Sequence, residues 1–408
     1  MKTATKKAPQ VGIGLIILIY IAFISLGLPD GLLGVAWPSI RADFSQPLDA
    51  LGMMFILGTS GYFLSSALSG RILSRLGVGK LLAASCALTS SALIGYTLVP
   101  NWWTMVALGF FSGLGAGAID AGINTYVAAN FEEKLMQWLH ASYGIGVTLG
   151  PVIMTAGLNL FNTWRLGYIV VGLAQIALAA SFVITLPMWK IKEDPQAKPE
   201  RRLTDYKTSY RETLARPLVW LSILIFALYT GAEATLGSWT YSLLTEARNV
   251  PGEIAGFWAA SYWATFTLGR FLAGFYTKRV GLNTLLIGSF SGALAGALLL
   301  WWNPFSFASL IGVALIGFAI APIFPGLVSG TSDRVGPRYA ANTIGIQISA
   351  ASIGAAVVSG LAGVLARQFS LEIIPIYMVV IFTLLLGLYT LATSLAGAQN
   401  LKTAPAVD

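Results

Sequence analysis

Three carboxylic acids stand inside long apolar stretches of this chain: Asp30 in GLPDGLLG, Asp120 in GAIDAGIN and Glu233 in TGAEATLG. The other fourteen Asp and Glu fall in loops, tails or helix ends. An ionisable side chain in hydrocarbon costs about 2.5–3.5 kcal/mol on insertion scales and marks a functional site by default. Such a carboxyl can take up and release a proton, bind a small cation, or accept hydrogen bonds from a polar solute.

Asp120 has a partner on its own helix. Asn124 follows four residues later, on the same face and about 6 Å along the axis, amid Gly113, Gly115, Gly117 and Gly122. An acid and an amide facing a wet cavity is one reading; a satisfied acid in a tightly packed helix is the other. His140, in WLHASYG, can reach the depth of Asn124 from the next helix, both lying about 9–10 Å above the same end. Its imidazole titrates near neutrality and could relay protons, or it could be a structural interfacial histidine. Asp30 and Glu233 occupy nearly equivalent places in the two halves, beside Gly27, Pro29 and Gly31 and beside Gly231 and Gly237. Those residues loosen helices, and transporter sites are often built on interrupted helices, so breaks are expected there. The aromatics Trp37, Trp239 and Tyr241 follow the two acids, and aromatic faces can stack on the C–H faces of sugars. Gln347 and Asn342, in ANTIGIQIS, need partners wherever they fall inside a span. Asp120, His140 and Asp30 are therefore the candidates for handling protons. Asn124, Glu233, Trp239, Gln347, Trp37, Tyr143 and Asn342 are the candidates for contacting solute.

The elements that must position these residues follow from composition. The chain has 408 residues, 56% hydrophobic and 10% charged, against about 25% charged in a soluble domain; it is an all-α membrane protein. A single cysteine, Cys86, and a single histidine exclude a disulfide framework and make a transition-metal site untenable. No nucleophile–base pair suggests an enzyme. Lys2, Lys6 and Lys7 precede the first apolar segment without a cleavage pattern, so that segment is expected to remain.

Apolar runs of about 20 residues give twelve spans, near 11–39, 48–70, 81–99, 103–130, 136–160, 166–188, 217–244, 253–277, 283–302, 305–331, 340–366 and 373–396. The long polar connection 189–216 holds eight Lys/Arg and five Asp/Glu. It divides the chain into six-helix bundles at 1–188 and 217–408. With the N-terminus inside, inner loops and tails hold twenty Lys/Arg. The outer loops hold four, Arg41, Arg165, Arg248 and Arg367, and Arg270 lies within span eight. That bias places both termini in the cytoplasm of a cell (inner) membrane. The net charge of +8 then faces anionic lipid, and no nucleic-acid partner is implied.

A shift of 204 residues aligns the halves. Gly27 falls on Gly231, Gly70 on Gly274, Arg75 on Arg279, Gly77 on Gly281, Gly113 on Gly317, Gly122 on Gly326 and Gly150 on Gly354. Parallel six-span repeats form the two halves of major facilitator transporters, with substrate between them. The loop Gly70-RILSRLGVG-Lys80 resembles the G-x3-D-R-x-G-R/K loop of that superfamily, with Ser74 in place of the acid and Lys278 at the matching position of the second half. YTGAEATLGSW resembles the Y-x-G-x-E pattern of the fucose/glucose:proton symporter branch. GAGAIDAGINTYVAANF, HASYG and IFPG are also similar to that branch. The resemblance implies a major facilitator fold and puts Glu233 and Asp120 at the branch's acidic positions, with its span-one acid near Gly34, one turn beyond Asp30. Gly146-VTL-Gly150-Pro151 resembles the G-x3-G-P motif of drug/proton antiporters.

The expected function is secondary transport of a small polar solute, most simply a monosaccharide, by proton-coupled alternating access. No cofactor is expected beyond the proton gradient; sodium would use the same carboxylates. The expected partners are the solute and the lipid bilayer, and the chain is expected to act as a monomer. Proton-coupled efflux of amphipathic drug-like compounds and a non-transporting membrane sensor are the alternatives.

Overall fold

The computed structural model describes residues 13–130, 133–189 and 208–403, and among these every regular element is helical. The long helices are α1 (Ile13–Asp43), α2 (Leu51–Leu76), α3 (Val78–Tyr96), α4 (Trp102–Asn130), α5 (Glu133–Phe161), α6 (Arg165–Ile184), α8 (Pro217–Ser242), α9 (Gly252–Val280), α10 (Leu282–Trp302), α14 (Pro337–Gln368) and α15 (Ile373–Thr403). Span ten is made of α11 (Ala308–Ile320) and α12 (Ile323–Ser329), while α7 (Tyr210–Leu214) and α13 (Thr331–Val335) are short connectors. Among the described residues, eleven segments are long and apolar enough to cross a membrane. The twelfth crossing, α9, is diluted by Ser261, Thr265, Thr267 and Arg270. Exposed side chains such as Ile17, Leu173, Ile176, Leu268 and Leu384 supply the apolar exterior that hydrocarbon requires. The fold is an all-α, twelve-helix membrane architecture.

Contacts gather the chain into two units: Met1–Leu32 with Leu57–Gln196, and Leu33–Ile56 with Ala197–Asp408. In the first, the core forms around Phe23, Leu82, Ile123, Tyr126, Phe182 and Trp189. In the second, Arg248 ties four elements together. Its guanidinium forks onto Glu372 at 2.7 and 2.8 Å, and also donates to Ser309 Oγ and the Leu300 carbonyl. The same unit contains the ion pairs Arg41–Glu246 and Asp49–Arg367.

Parts of the 204-residue repeat are held in identical register within each unit. Gly113 lets α4 approach the Gly58 carbonyl on α2, and Gly317 lets α11 approach the Tyr262 carbonyl on α9. Gly122 faces Leu82, and Gly326 faces Leu286. Gly77 and Gly281 precede α3 and α10 with φ of 75° and 81°, a conformation that favours glycine. The register slips elsewhere. Gly27 and Gly31 of α1 pack on Gly146 and Gly150 of α5, which absorbs the G-x3-G-P motif into a helix contact. Gly231 of α8 instead meets Gly354 and Val358, further along α14.

The expected breaks in spans one and seven are not present; α1 and α8 run unbroken through Gly27-Leu-Pro29-Asp30-Gly31 and through Gly231 and Gly237. Their glycines serve close packing. Pro29 cannot donate to the Ser25 carbonyl, and the buried Gln175 of α6 fills the gap, with Nε2 donating to that oxygen at 3.0 Å. The interruption occurs in span ten, between Ile320 and Ile323. There Pro322 and Pro325 each remove a backbone donor.

Candidate functional site

In the first unit, α4 presents Asp120 half-buried and held at both oxygens. The Tyr62 hydroxyl of α2 donates to Oδ2 at 2.5 Å, and Asn124 Nδ2 donates to Oδ1 at 2.8 Å. Asn124 also donates to the Asp120 carbonyl at 3.0 Å, so the expected i, i+4 pair forms. An ionised carboxylate only accepts, and both neighbours supply hydrogens to it. When the carboxyl is protonated, the amide of Asn124 remains a donor, but the tyrosine hydroxyl can turn and accept. The arrangement therefore has a defined seat for a proton, on Oδ2 facing Tyr62.

Asp30 of α1 lies in the same unit with an accessible carboxylate, and Tyr143 of α5 donates to its Oδ2 at 2.7 Å. His140, one turn before Tyr143, is exposed and sets its ring edge-on against Phe23, centroids 5.6 Å apart. Tyr143 and Asp30 thus form a second hydroxyl–carboxylate pair. The position one turn further along α1, Gly34, has no room for an acid, since a Cβ there would press on the backbone of Gly237 and Ser238.

In the second unit, Glu233 sits at the centre of a cluster. Tyr229, one turn earlier on α8, donates to Oε2 at 2.5 Å, and Tyr262 of α9 donates to the Glu233 carbonyl at 3.0 Å. Arg270 of α9 acts on Glu233 through space. Its Nε points to the Ala321 carbonyl at 3.4 Å, and its guanidinium lies 4.1 Å from the Phe266 ring centroid. That carbonyl is the one Pro325 cannot serve. The break in span ten thereby leaves a carbonyl for Arg270, whose charge also acts on Glu233.

The remaining solute candidates occupy other settings. Trp37 and Trp239 are fully buried, with Nε1 donating to the Leu48 and Ser359 carbonyls, so the structure uses their rings for packing. Asn342 is tied through Nδ2 to the Thr208 carbonyl and Thr213 Oγ1 beside α7, where it anchors the connector between the halves. Gln347 is fully buried and accepts from Thr331 Oγ1 at 3.0 Å, joining α14 to α13. For these four, helix-to-helix bonding is the observed role. The side chains of Ser74 and Lys278 lie outside the described residues.

Tyr62, Tyr229, Tyr262 and Arg270 were not among the sequence candidates. Tyr229 was accessible through its i, i+4 spacing to Glu233. Arg270 carried the same warning as the acids, a charge inside a span, but entered the reading only as a topology count. Tyr62 and Tyr262 had no local signal, because tyrosines in spans are common.

Comparison with known proteins fits this architecture. The chain is 25% identical to "Bypass of stop codon protein 6" of Saccharomyces cerevisiae, with 90% of this chain and 81% of that protein covered. It is 23% identical to the "Glucose/mannose transporter GlcP" of Bacillus subtilis, covering 84% and 86% of the two chains. It is 24% identical to human "Sodium-dependent glucose transporter 1", over 76% and 65%. Among solved structures, it superposes on an inward-facing bacterial homologue of the lysosomal transporter Spinster with a TM-score of 0.76 at 14% identity, covering 93% and 96%. It superposes on the nucleoside transporter NupG with a TM-score of 0.75 at 14% identity, covering 93% and 99%. The Major Facilitator Superfamily profile matches residues 19–359, and the chain belongs to that superfamily of membrane transporters.

Proposed function

We propose that this transporter moves a small polar solute, most simply a monosaccharide, by alternating access coupled to proton movement. The observation that supports this most directly is the carboxyl of Asp120, accessible and held between a hydroxyl that can reverse its role and an amide that cannot. Glu233, with Tyr229, Tyr262 and Arg270, offers acceptors and donors suited to sugar hydroxyls. Glucose and mannose transport in a relative's name agrees with this class of solute. Halves at 1–188 and 217–408 are the moving bodies in this reading, with the linker 189–216 and both termini on the cytoplasmic side of the inner membrane. The charge bias of the loops supports that orientation.

A sodium-driven variant draws support from the name of the human relative. Purified protein in liposomes, given labelled hexoses under an imposed pH gradient or an imposed sodium gradient, separates the two. Uphill hexose accumulation under a pH gradient alone is the expected result. Accumulation under sodium alone would move the coupling to sodium. No hexose flux under either, together with competition by apolar cations, would replace the sugar reading with drug-like efflux.

A further inference from the structure

The two units differ where the chain packs over the start of α3 and of α10. In the first unit, the chain beyond α6 lays the Trp189 indole over the start of α3. It packs against Gly79, its ring centroid lies 5.0 Å from that of Tyr126, and its Nε1 donates to Thr185 Oγ1. The 204-residue shift carries Tyr126 to Gly330 and Gly79 to Asn283. The matched contacts Gly122–Leu82 and Gly326–Leu286 hold α4 on α3, and α12 on α10, in this register. The tyrosine ring is thus replaced by glycine in the second unit. A cleft of about 280 Å³ lies there, lined by Leu282, Asn283, Gly330, Asp333, Arg334 and Thr393 among others.

The wall of this cleft carries a buried cation. Arg334 is 6% exposed, and its Nε has no hydrogen-bond partner. Its Nη2 donates to the Leu327 carbonyl and, at 3.3 Å, to Thr331 Oγ1, and it shares a hydrogen bond with Tyr389. Burial pulls the guanidinium's pKa below its ordinary value, against the opposing effects of Tyr389 and Asp333. Tyr389 also donates to Asn283 Oδ1 at 2.8 Å, which leaves the amide hydrogens of Asn283 as donors. α10 starts at Leu282, and Gly281 before it provides no side-chain cap. The first amides of that helix lack intrahelical partners and carry the positive end of its dipole. Helix N-termini of this kind hold phosphate groups.

We propose that this cleft binds a singly charged phosphate-type oxyanion between Arg334 and the start of α10. Asp333, exposed on the rim, disfavours a dianion there, which suits a phosphodiester or dihydrogen phosphate. The side of the membrane that the charge bias assigns to the cytoplasm offers both, as lipid headgroups and as free phosphate. In the first unit the Trp189 indole covers Gly79 at the start of α3, and neither Glu233 nor Asp120 lines the cleft.

The test uses the full-length protein and the variant Thr393→Trp, which puts an indole into the cleft that Thr393 lines. One arm measures thermal unfolding in sodium phosphate against sodium chloride at equal ionic strength. The other follows retention of dioleoyl-phosphatidylglycerol, against a neutral diacylglycerol of the same chains, by native mass spectrometry. Wild-type protein should be stabilised by phosphate, or retain one phosphatidylglycerol per chain, with binding at least about tenfold weaker in the variant. A response to phosphate alone assigns the site to the free anion, and retention of lipid alone assigns it to the headgroup. Binding of neither probe, or equal binding by wild type and variant, overturns the proposal. If Thr393→Trp does not fold, Thr393→Met fills part of the same space and is read by the same criteria.

Discussion

Tyr62 and Asp120 are joined across α2 and α4 by a hydroxyl–carboxylate hydrogen bond of 2.5 Å, and this bond gives Asp120 a partner that tolerates either protonation state. Asp120→Asn keeps the shape but fixes the group neutral. It should abolish gradient-driven accumulation while leaving solute counterflow in place. Tyr62→Phe removes the reversible hydroxyl and should slow uphill uptake at least about tenfold, with a smaller effect on counterflow. Paired uptake and counterflow assays in liposomes check both; full accumulation by Asp120→Asn would remove Asp120 from coupling.

Glu233 and Arg270 should behave as a unit. Arg270→Gln leaves Glu233 without its cation and the Ala321 carbonyl without its donor, while Glu233→Gln leaves the cation without its acid. Groups in one network are not additive, so the double variant should lose less than the two single losses combined. A double-mutant cycle on solute affinity should give a coupling of about 0.5–3 kcal/mol. A value near zero would mean that the two charges serve separate purposes.

Pro325→Ala restores an amide to the Ala321 carbonyl and competes with Arg270 for it. The expected outcome is a protein more stable by about 1 kcal/mol whose transport is slower, since span ten gains helical continuity. Unfolding midpoints and initial uptake rates report the two effects. A faster transporter would show that the break is not part of the working cycle.

The repeat makes matched predictions for glycine. Gly113→Ala and Gly317→Ala each force a methyl group onto a facing backbone carbonyl and should cost about 1–3 kcal/mol. Gly122→Ala meets only the ends of the Leu81 and Leu82 side chains, at 3.1 and 3.5 Å, and should cost less. Thermal unfolding of the three variants in one detergent gives the ranking.

The sequence made the architecture legible because hydrocarbon imposes a strict length and polarity rule on every span, and the twelve predicted runs correspond to the observed helices. Asp120 and Asn124 were legible for the same reason: two polar groups one turn apart on an apolar helix leave few alternatives. The site's other partners depend on which face of a neighbouring helix meets them, and that information is spread over distant segments. Tyr62 is 58 residues from Asp120 and Tyr143 is 113 residues from Asp30. The expected helix breaks at Gly27–Gly31 and Gly231 show the limit of composition. Glycine marks both unwinding and close approach, and only the opposing helix decides which. Trp37 and Trp239 are buried and bonded to backbone carbonyls, and composition could not show this, since an aromatic ring stacks as well on protein as on a ligand.

Pro29 and Pro325 pose the same backbone problem, and the two halves answer it in different ways. At Pro29 an uncharged amide from α6 fills the gap and the helix stays whole, so α1 and α6 are clamped into one stiff strut. At Pro325 the stand-in donor is a charge that also senses Glu233, and the helix is left jointed. At Pro325 one side chain, Arg270, both reaches the Ala321 carbonyl and acts through space on Glu233, whereas at Pro29 the amide of Gln175 carries no charge. At one proline the chain keeps a single helix, and at the other it makes two.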